Sequence, residues 1–122
     1  MMPKDTLPAA ILPHPEENLL DSWAANRVAE MLFAVAGRLY LTDRRVVFYP
    51  NKAYAYFGSE PWWCPHYGIA RVHVQPKSPD DPYRGSRRNR LRIDIDGGGR
   101  ELYVVNRPEL VTERLLSALQ TA

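Results

Sequence analysis

The feature that most constrains this chain is a period-two hydrophobic pattern that breaks at a polar pair and then resumes. In GRLYLTDRRVVFYPN (residues 37–51), Leu39 and Leu41 alternate with Arg38, Tyr40 and Thr42, while Val46 and Phe48 alternate with Val47 and Tyr49. Successive strand side chains point to opposite faces, so each run presents one apolar face, and Asp43 and Arg44 form the polar turn between them. A lone hairpin is not stable in water, so other strands or a helix must bury that face. Leu39, Leu41, Val46 and Phe48 are therefore expected in a core, and Arg44 and Arg45 at turn and solvated strand positions.

The remaining elements follow from the same patterning. LRIDID (91–96) alternates Leu91, Ile93 and Ile95 with Arg92, Asp94 and Asp96; the glycines at 97–99 make a turn, and ELYVVN (101–106) returns. PWWCPHYGIARVHVQ (61–75) reads as two strands parted at His66–Gly68, and EENLLDSWAAN (16–26) as a first strand. MLFAVAG (31–37) fits a strand extension, a helical turn or an apolar loop, and NKAYAYFGSE (51–60) reads as an aromatic-rich loop. In RPELVTERLLSALQ (107–120), Pro108 suits the first helical position. Val111, Leu115, Ala118 and Leu119 then share one stripe, Leu110 and Leu116 flank it, and Glu109, Glu113, Ser117 and Gln120 oppose it. Six or seven short strands joined mainly as a meander, with one terminal helix, predict a mainly β (α+β) fold. Its form is a strongly bent antiparallel sheet whose open end is covered by the amphipathic helix.

Composition limits the alternatives. A chain of 122 residues suits one domain with a modest core, and 45% hydrophobic with 25% charged residues is ordinary for a globular protein. The longest apolar run, Met31–Ala36, is too short to cross a bilayer. Residues 1–15 hold four of the eleven prolines and no periodicity, so they read as an extended arm preceding a single domain at 16–122. Pro8 and Pro13 break its apolar patch, which leaves a poor signal peptide; the expected location is cytoplasmic, with the inner membrane face as a place of peripheral attachment. Cys64 is the lone cysteine, which excludes an internal disulfide, and a net charge of +2 is too small to argue for nucleic acid by itself.

Distribution says more than net charge. Arg84, Arg87, Arg88, Arg90 and Arg92 fall within nine residues of a Pro- and Gly-containing stretch that reads as a long exposed loop. Guanidinium forks suit phosphate or carboxylate, and Tyr83 beside them suits stacking, so this cluster is the first candidate for an anionic ligand. The aromatics Tyr54, Tyr56, Phe57, Trp62, Trp63 and Tyr67 are dense; adjacent Trp62 and Trp63 in a strand must face opposite sides, one inward and one toward a surface. Leu32, Phe33, Trp62 and Trp63 are candidate contacts for a partner, a membrane or a second copy in a homodimer.

Catalytic and metal chemistry is poorly supported. Asp94 and Asp96 share a strand face with Arg92, which favours a salt-bridged surface over a paired-carboxylate site. Cys64 and His66 have no evident third group to orient them, and adding His14 and His73 gives no metal-ligand spacing. The glycines at 97–99 do not open a helix, so they form no phosphate loop. The expectation is a non-enzyme without cofactor or metal.

The run Gly37–Phe48 resembles the signature hairpin of GRAM domains, members of the pleckstrin-homology-like superfold. Pro65, Ile69 and Val72 resemble that family's spaced proline, isoleucine and valine, and Glu16-Glu17 before Leu19-Leu20 and the terminal helix fall where the family places them. The resemblance covers roughly residues 16–120. It implies a seven-stranded, partly open barrel capped by the C-terminal helix, in a small stand-alone member of bacterial type. It also implies a binding module that engages a protein partner or an anionic lipid surface. Inositide-binding members of the superfold carry several basic residues between the first two strands, whereas here Arg27 is the only one in RVAEMLFAVAG, with Arg38 just beyond. A nucleic-acid-binding protein using the arginine loop 84–92 is the alternative function.

Overall fold

A computed structural model describes residues 16–30, 33–78, 80 and 87–121. Seven strands, β1 (Leu19–Glu30), β2 (Phe33–Thr42), β3 (Arg45–Pro50), β4 (Trp62–Pro65), β5 (Ile69–Gln75), β6 (Arg90–Ile95) and β7 (Arg100–Val105), form one antiparallel sheet in the order β4-β3-β2-β1-β7-β6-β5. Among the described residues two α-helices complete it: α1 (Lys52–Tyr56) between β3 and β4, and α2 (Pro108–Thr121) at the end.

Of the open alternatives at 31–37, the described residues 33–37 are strand: β2 begins at Phe33 and pairs with β1 from Glu30↔Phe33 to Leu19↔Thr42, while 31 and 32 lie outside the described residues. This length lets β1 join two groups of strands, β2–β4 along most of its length and β7 through Ala25↔Val105 to Arg27↔Tyr103. The stretch read as an aromatic loop holds α1 instead. Asn51 caps it, its side-chain Oδ1 accepting from the Tyr54 amide at 3.0 Å, a short-range bond that the strand and turn patterning did not disclose.

The expected alternation builds the core. Leu39, Leu41, Val46, Phe48, Leu91, Ile93, Tyr103, Val105 and the helix residues Val111, Leu115 and Ala118 form one buried cluster, with Leu119 partly buried against it. Leu110 and Leu116, at the stripe's margins, are exposed. Gly37 of β2 lies close against β3: a Cβ there would run into the Tyr49 carbonyl and come within 2.7 Å of the Phe48 ring. The glycines of the β6–β7 turn all have positive φ, from 85° to 103°, which explains three in succession.

The second face of the hairpin is less open than its polar residues suggest. Tyr40 and Val47, on the side opposite Leu39 and Phe48, are buried with Leu19 and Tyr49 packed against them.

Candidate functional site

The arginine cluster does not act as one exposed set. Arg87 and Arg88 are exposed just before β6, and Arg84 lies outside the described residues. Arg90 is the first residue of β6 and is fully buried, so the reading of it as a loop cation is corrected: strand pairing with Gln75 draws it into the sheet. Arg92 is engaged within the fold. Its Nε donates to Asp94 Oδ1 at 2.8 Å and its Nη1 to Gln75 Oε1 at 3.0 Å. His73 Nε2 lies 3.0 Å from Asp94 Oδ2, so one carboxylate holds two neighbours. The hydrogen bond from Arg92, then that from His73, keeps the Asp94 carboxyl below its ordinary range despite some desolvation. This is the salt-bridged strand surface that the spacing of Arg92 and Asp94 suggested.

Arg45 departs from expectation more sharply. Instead of a solvated position it forms a two-point ion pair with Glu17, Nε to Oε2 at 2.8 Å and Nη2 to Oε1 at 3.0 Å, with side-chain exposures of 6% and 0%. The Trp63 ring covers the guanidinium at 5.2 Å from its centroid. Thr42 Oγ1 donates to Glu17 Oε2 at 2.7 Å and accepts from the Arg44 and Arg45 amides, closing the β2–β3 turn onto the segment before β1. Sequence separation hid this pairing, because Glu17 and Arg45 meet only after β1 and β2 are side by side.

The aromatics sort by strand parity. Trp62 faces inward, 6.3 Å from the Tyr103 ring, and so leaves the set of contact candidates, whereas Trp63 is 54% exposed. Leu32 lies outside the described residues. Phe33 is 61% exposed, and Tyr56 and Phe57 are each 84% exposed, their rings edge-to-face at 5.2 Å. The Asn51 amide bonds the Ala36 carbonyl at 2.9 Å, so α1 leaves the sheet beside the early part of β2 that begins at Phe33. Tyr56-Phe57 ahead of Gly58 was the available sequence signal for this rim, but without α1 nothing separated exposed aromatics from buried ones.

Cys64 and His66 do not make a nucleophile and its base. Burial pushes the Cys64 thiol up, and its Sγ donates to its neighbour's carbonyl, Pro65 O, at 3.4 Å. Burial pushes the His66 imidazole down, opposed by the nearby Thr42 carbonyl and the Asp43 carboxylate; among the described residues neither ring nitrogen has a partner in hydrogen-bond geometry. His66 lines a cavity of about 470 Å³ with Asp43, Arg44, Tyr67, Ile69 and Leu119, where the β2–β3 turn meets the His66–Gly68 3-10 turn and the end of α2. Among the described residues no cluster of His, Cys, Asp and Glu is arranged to hold a metal ion. No helix among them is long and apolar enough to cross a membrane.

No protein-family model and no curated protein matches the chain. Solved structures do. The C-terminal domain of an unknown protein from Leishmania infantum aligns with a TM-score of 0.67 at 14% identity, covering 85% of each chain. The Vps36 N-terminal PH domain aligns with a TM-score of 0.64 at 12% identity, covering 90% of this chain and 84% of that one. The hSac2 domain from human phosphoinositide phosphatase Sac2 aligns with a TM-score of 0.63 at 15% identity, covering 93% and 76%. Identities this low speak to architecture alone. Seven antiparallel strands bent around one core and capped by a terminal helix, together with these likenesses, make the fold pleckstrin-homology-like.

Proposed function

We propose that this chain is a GRAM-like, non-catalytic binding module that attaches reversibly to an anionic membrane surface. Phe33, Tyr56 and Phe57 serve as a shallow apolar anchor, and Arg84, Arg87 and Arg88 add electrostatic attraction. The observation that carries this reading is the exposure of three large aromatics on adjoining segments, Phe33 at 61% and Tyr56 and Phe57 at 84%. Aromatic side chains are favoured at the headgroup boundary, and shallow insertion needs no spanning element. The GRAM-like hairpin forms β2 and β3 of the first group of strands, and fold neighbours that include a PH domain support a binding role.

Two or three arginines near an anionic bilayer contribute on the order of 1 kcal/mol each, so charge alone yields marginal recruitment and the aromatics must supply the rest. Co-sedimentation with vesicles of graded phosphatidylserine content checks this. Wild type should bind more as anionic content rises, Phe33→Ser/Tyr56→Ser/Phe57→Ser should lose binding, and Arg84→Ala/Arg87→Ala/Arg88→Ala should retain part of it but lose the salt dependence. Failure of wild type to sediment at low salt would remove the membrane and leave a protein partner as the object of the module. Nucleic acid is the weaker alternative, because burial of Arg90 and engagement of Arg92 take two cations out of the set it would use.

A further inference from the structure

We propose that the cavity between the β2–β3 turn and the end of α2 binds a small monocarboxylate with an apolar or aromatic body. Arg44 and His66 hold the carboxylate, and the body lies against Ile69 and Leu119. The site does not rest on membrane attachment. It adjoins the Thr42 end of β2, whereas Phe33 of the aromatic rim begins the same strand about 30 Å away along it.

Size and shape supply the first argument. At about 470 Å³ the cavity falls among small-molecule pockets, about 300–1,000 Å³, which are mostly apolar with a few placed polar groups. Its walls follow that pattern. Ile69 and Leu119 are partly buried and packed against the main core, and Tyr67, 87% exposed, adds an aromatic ring on the solvent side. Backbone bonds fix the walls to one another. The His66 amide donates to the Arg44 carbonyl at 3.0 Å, which ties the 3-10 turn to the β2–β3 turn, and the Asp96 amide, just past β6, donates to the Gly68 carbonyl at 2.9 Å. A site held in this way needs little ordering when a guest enters.

Unspent hydrogen-bonding capacity supplies the second. His66 is only 8% exposed, and among the described residues neither of its ring nitrogens has a hydrogen-bond partner. Buried polar groups are nearly always paired, and even a neutral imidazole keeps one N–H to donate, so an acceptor oxygen on a guest satisfies it. Water offers the same oxygen but gains nothing from Ile69 and Leu119, whereas a guest with an apolar body gains from both.

Charge selects the sign of the guest. Asp43 lines the cavity, but both of its oxygens already accept from Asn18, Oδ1 from the backbone amide at 3.0 Å and Oδ2 from Nδ2 at 2.9 Å. An amine guest would therefore find its counter-ion engaged. Arg44 is exposed, and among the described residues its guanidinium has no hydrogen-bond or ion-pair partner. A guanidinium fork beside an imidazole suits one carboxylate. A phosphate monoester, close to doubly charged at neutral pH, would face Asp43 with that single cation to offset it.

The probe is phenylpropanoate, titrated into the full chain and followed by NMR of the backbone amides and of the imidazole nitrogens. Its comparison compounds are phenylpropanol, phenylpropylamine and phenylpropyl phosphate, which change the head group, and propanoate, which lacks the aromatic body. Phenylpropanoate should bind saturably and at least tenfold more tightly than each of the four, shifting the amides of residues 43, 44 and 66–69 and the His66 ring nitrogens. Arg44→Glu, a surface change whose unaltered thermal midpoint would show an intact fold, should weaken binding at least tenfold. His66→Phe keeps a ring of similar bulk without its nitrogens and should weaken binding severalfold; should it fail to fold, Arg44→Glu and the imidazole shifts decide the matter. Absence of saturable binding at millimolar phenylpropanoate would overturn the proposal. So would equal binding of the alcohol, the amine or the phosphate, an unchanged affinity in Arg44→Glu, or binding that leaves the His66 ring nitrogens unshifted. The Phe33/Tyr56/Phe57 variant should bind phenylpropanoate normally, which separates this site from the membrane reading.

Discussion

At Arg45, two opposite charges are enclosed together under a half-exposed indole ring. The Glu17 carboxylate is wholly buried and the guanidinium nearly so, so each compensates the desolvation of the other. Removing one partner strands the other: Arg45→Ala or Glu17→Ala should cost about 3–5 kcal/mol, read from urea unfolding. Joint replacement by apolar residues of similar size should restore much of the loss. His66 sets a different kind of sensitivity. Its folded-state pKa is depressed by burial, so the unfolded chain binds a proton that the folded chain refuses. Stability therefore falls as pH drops below the unfolded value of about 6.5. Asp43, whose carboxyl is lowered first by the Asn18 amide and then by the Asn18 side chain, and Asp94, lowered first by Arg92, act in a lower window. Their stabilisation is present above the ordinary carboxylate value of about 4 and is lost as pH falls through the depressed folded values. Stability measured from pH 8 to 3 should show both declines. His66→Phe should flatten the upper one and leave the lower.

Among the elements, α2 ties its own stability to the sheet. Leu115 is fully buried against the core, so Leu115→Ala should cost about 2–5 kcal/mol. Leu116, next along the helix but 38% exposed, should change stability by no more than about 0.5 kcal/mol on the same substitution. Equal effects in thermal unfolding would contradict the packing of α2. The β2–β3 crossing offers a sharper case. Gly37→Ala forces a methyl against the Tyr49 carbonyl and Phe48, and overpacking of this kind costs about 1–3 kcal/mol. At Gly58 an added Cβ would meet nothing within 4 Å, so a substitution there is strained by the positive φ instead of by contact.

At the scale of the molecule, the described residues expose two different kinds of group. The rim at Phe33, Tyr56 and Phe57 is apolar and lies at the beginning of β2 and the end of α1, while Arg87 and Arg88 stand exposed just before β6. Salt should therefore separate their contributions: raising ionic strength should weaken the part of vesicle binding that the arginines supply and leave most of the part that the aromatics supply, because screening acts on charges and not on apolar burial. Parallel titrations at low and physiological salt check that difference.

The strands, the glycine turn and the helix stripe were legible in the chain because they depend on short-range periodicity: Leu39 and Leu41, Leu91 to Ile95, and Val111 to Ala118 each declare a face within a few residues. The hairpin 37–48 likewise carried a resemblance of which the fold bears out the pleckstrin-homology-like architecture. Which charges face water was not legible in this way. Arg45 and Arg90 look as solvated as Arg44 and Arg88 by local pattern, yet their burial depends on partners and strands brought alongside from tens of residues away. The exposed rim has the same origin. Periodicity assigns a side chain to a face, but only the order in which strands are laid beside one another decides whether that face or edge is covered, and by what.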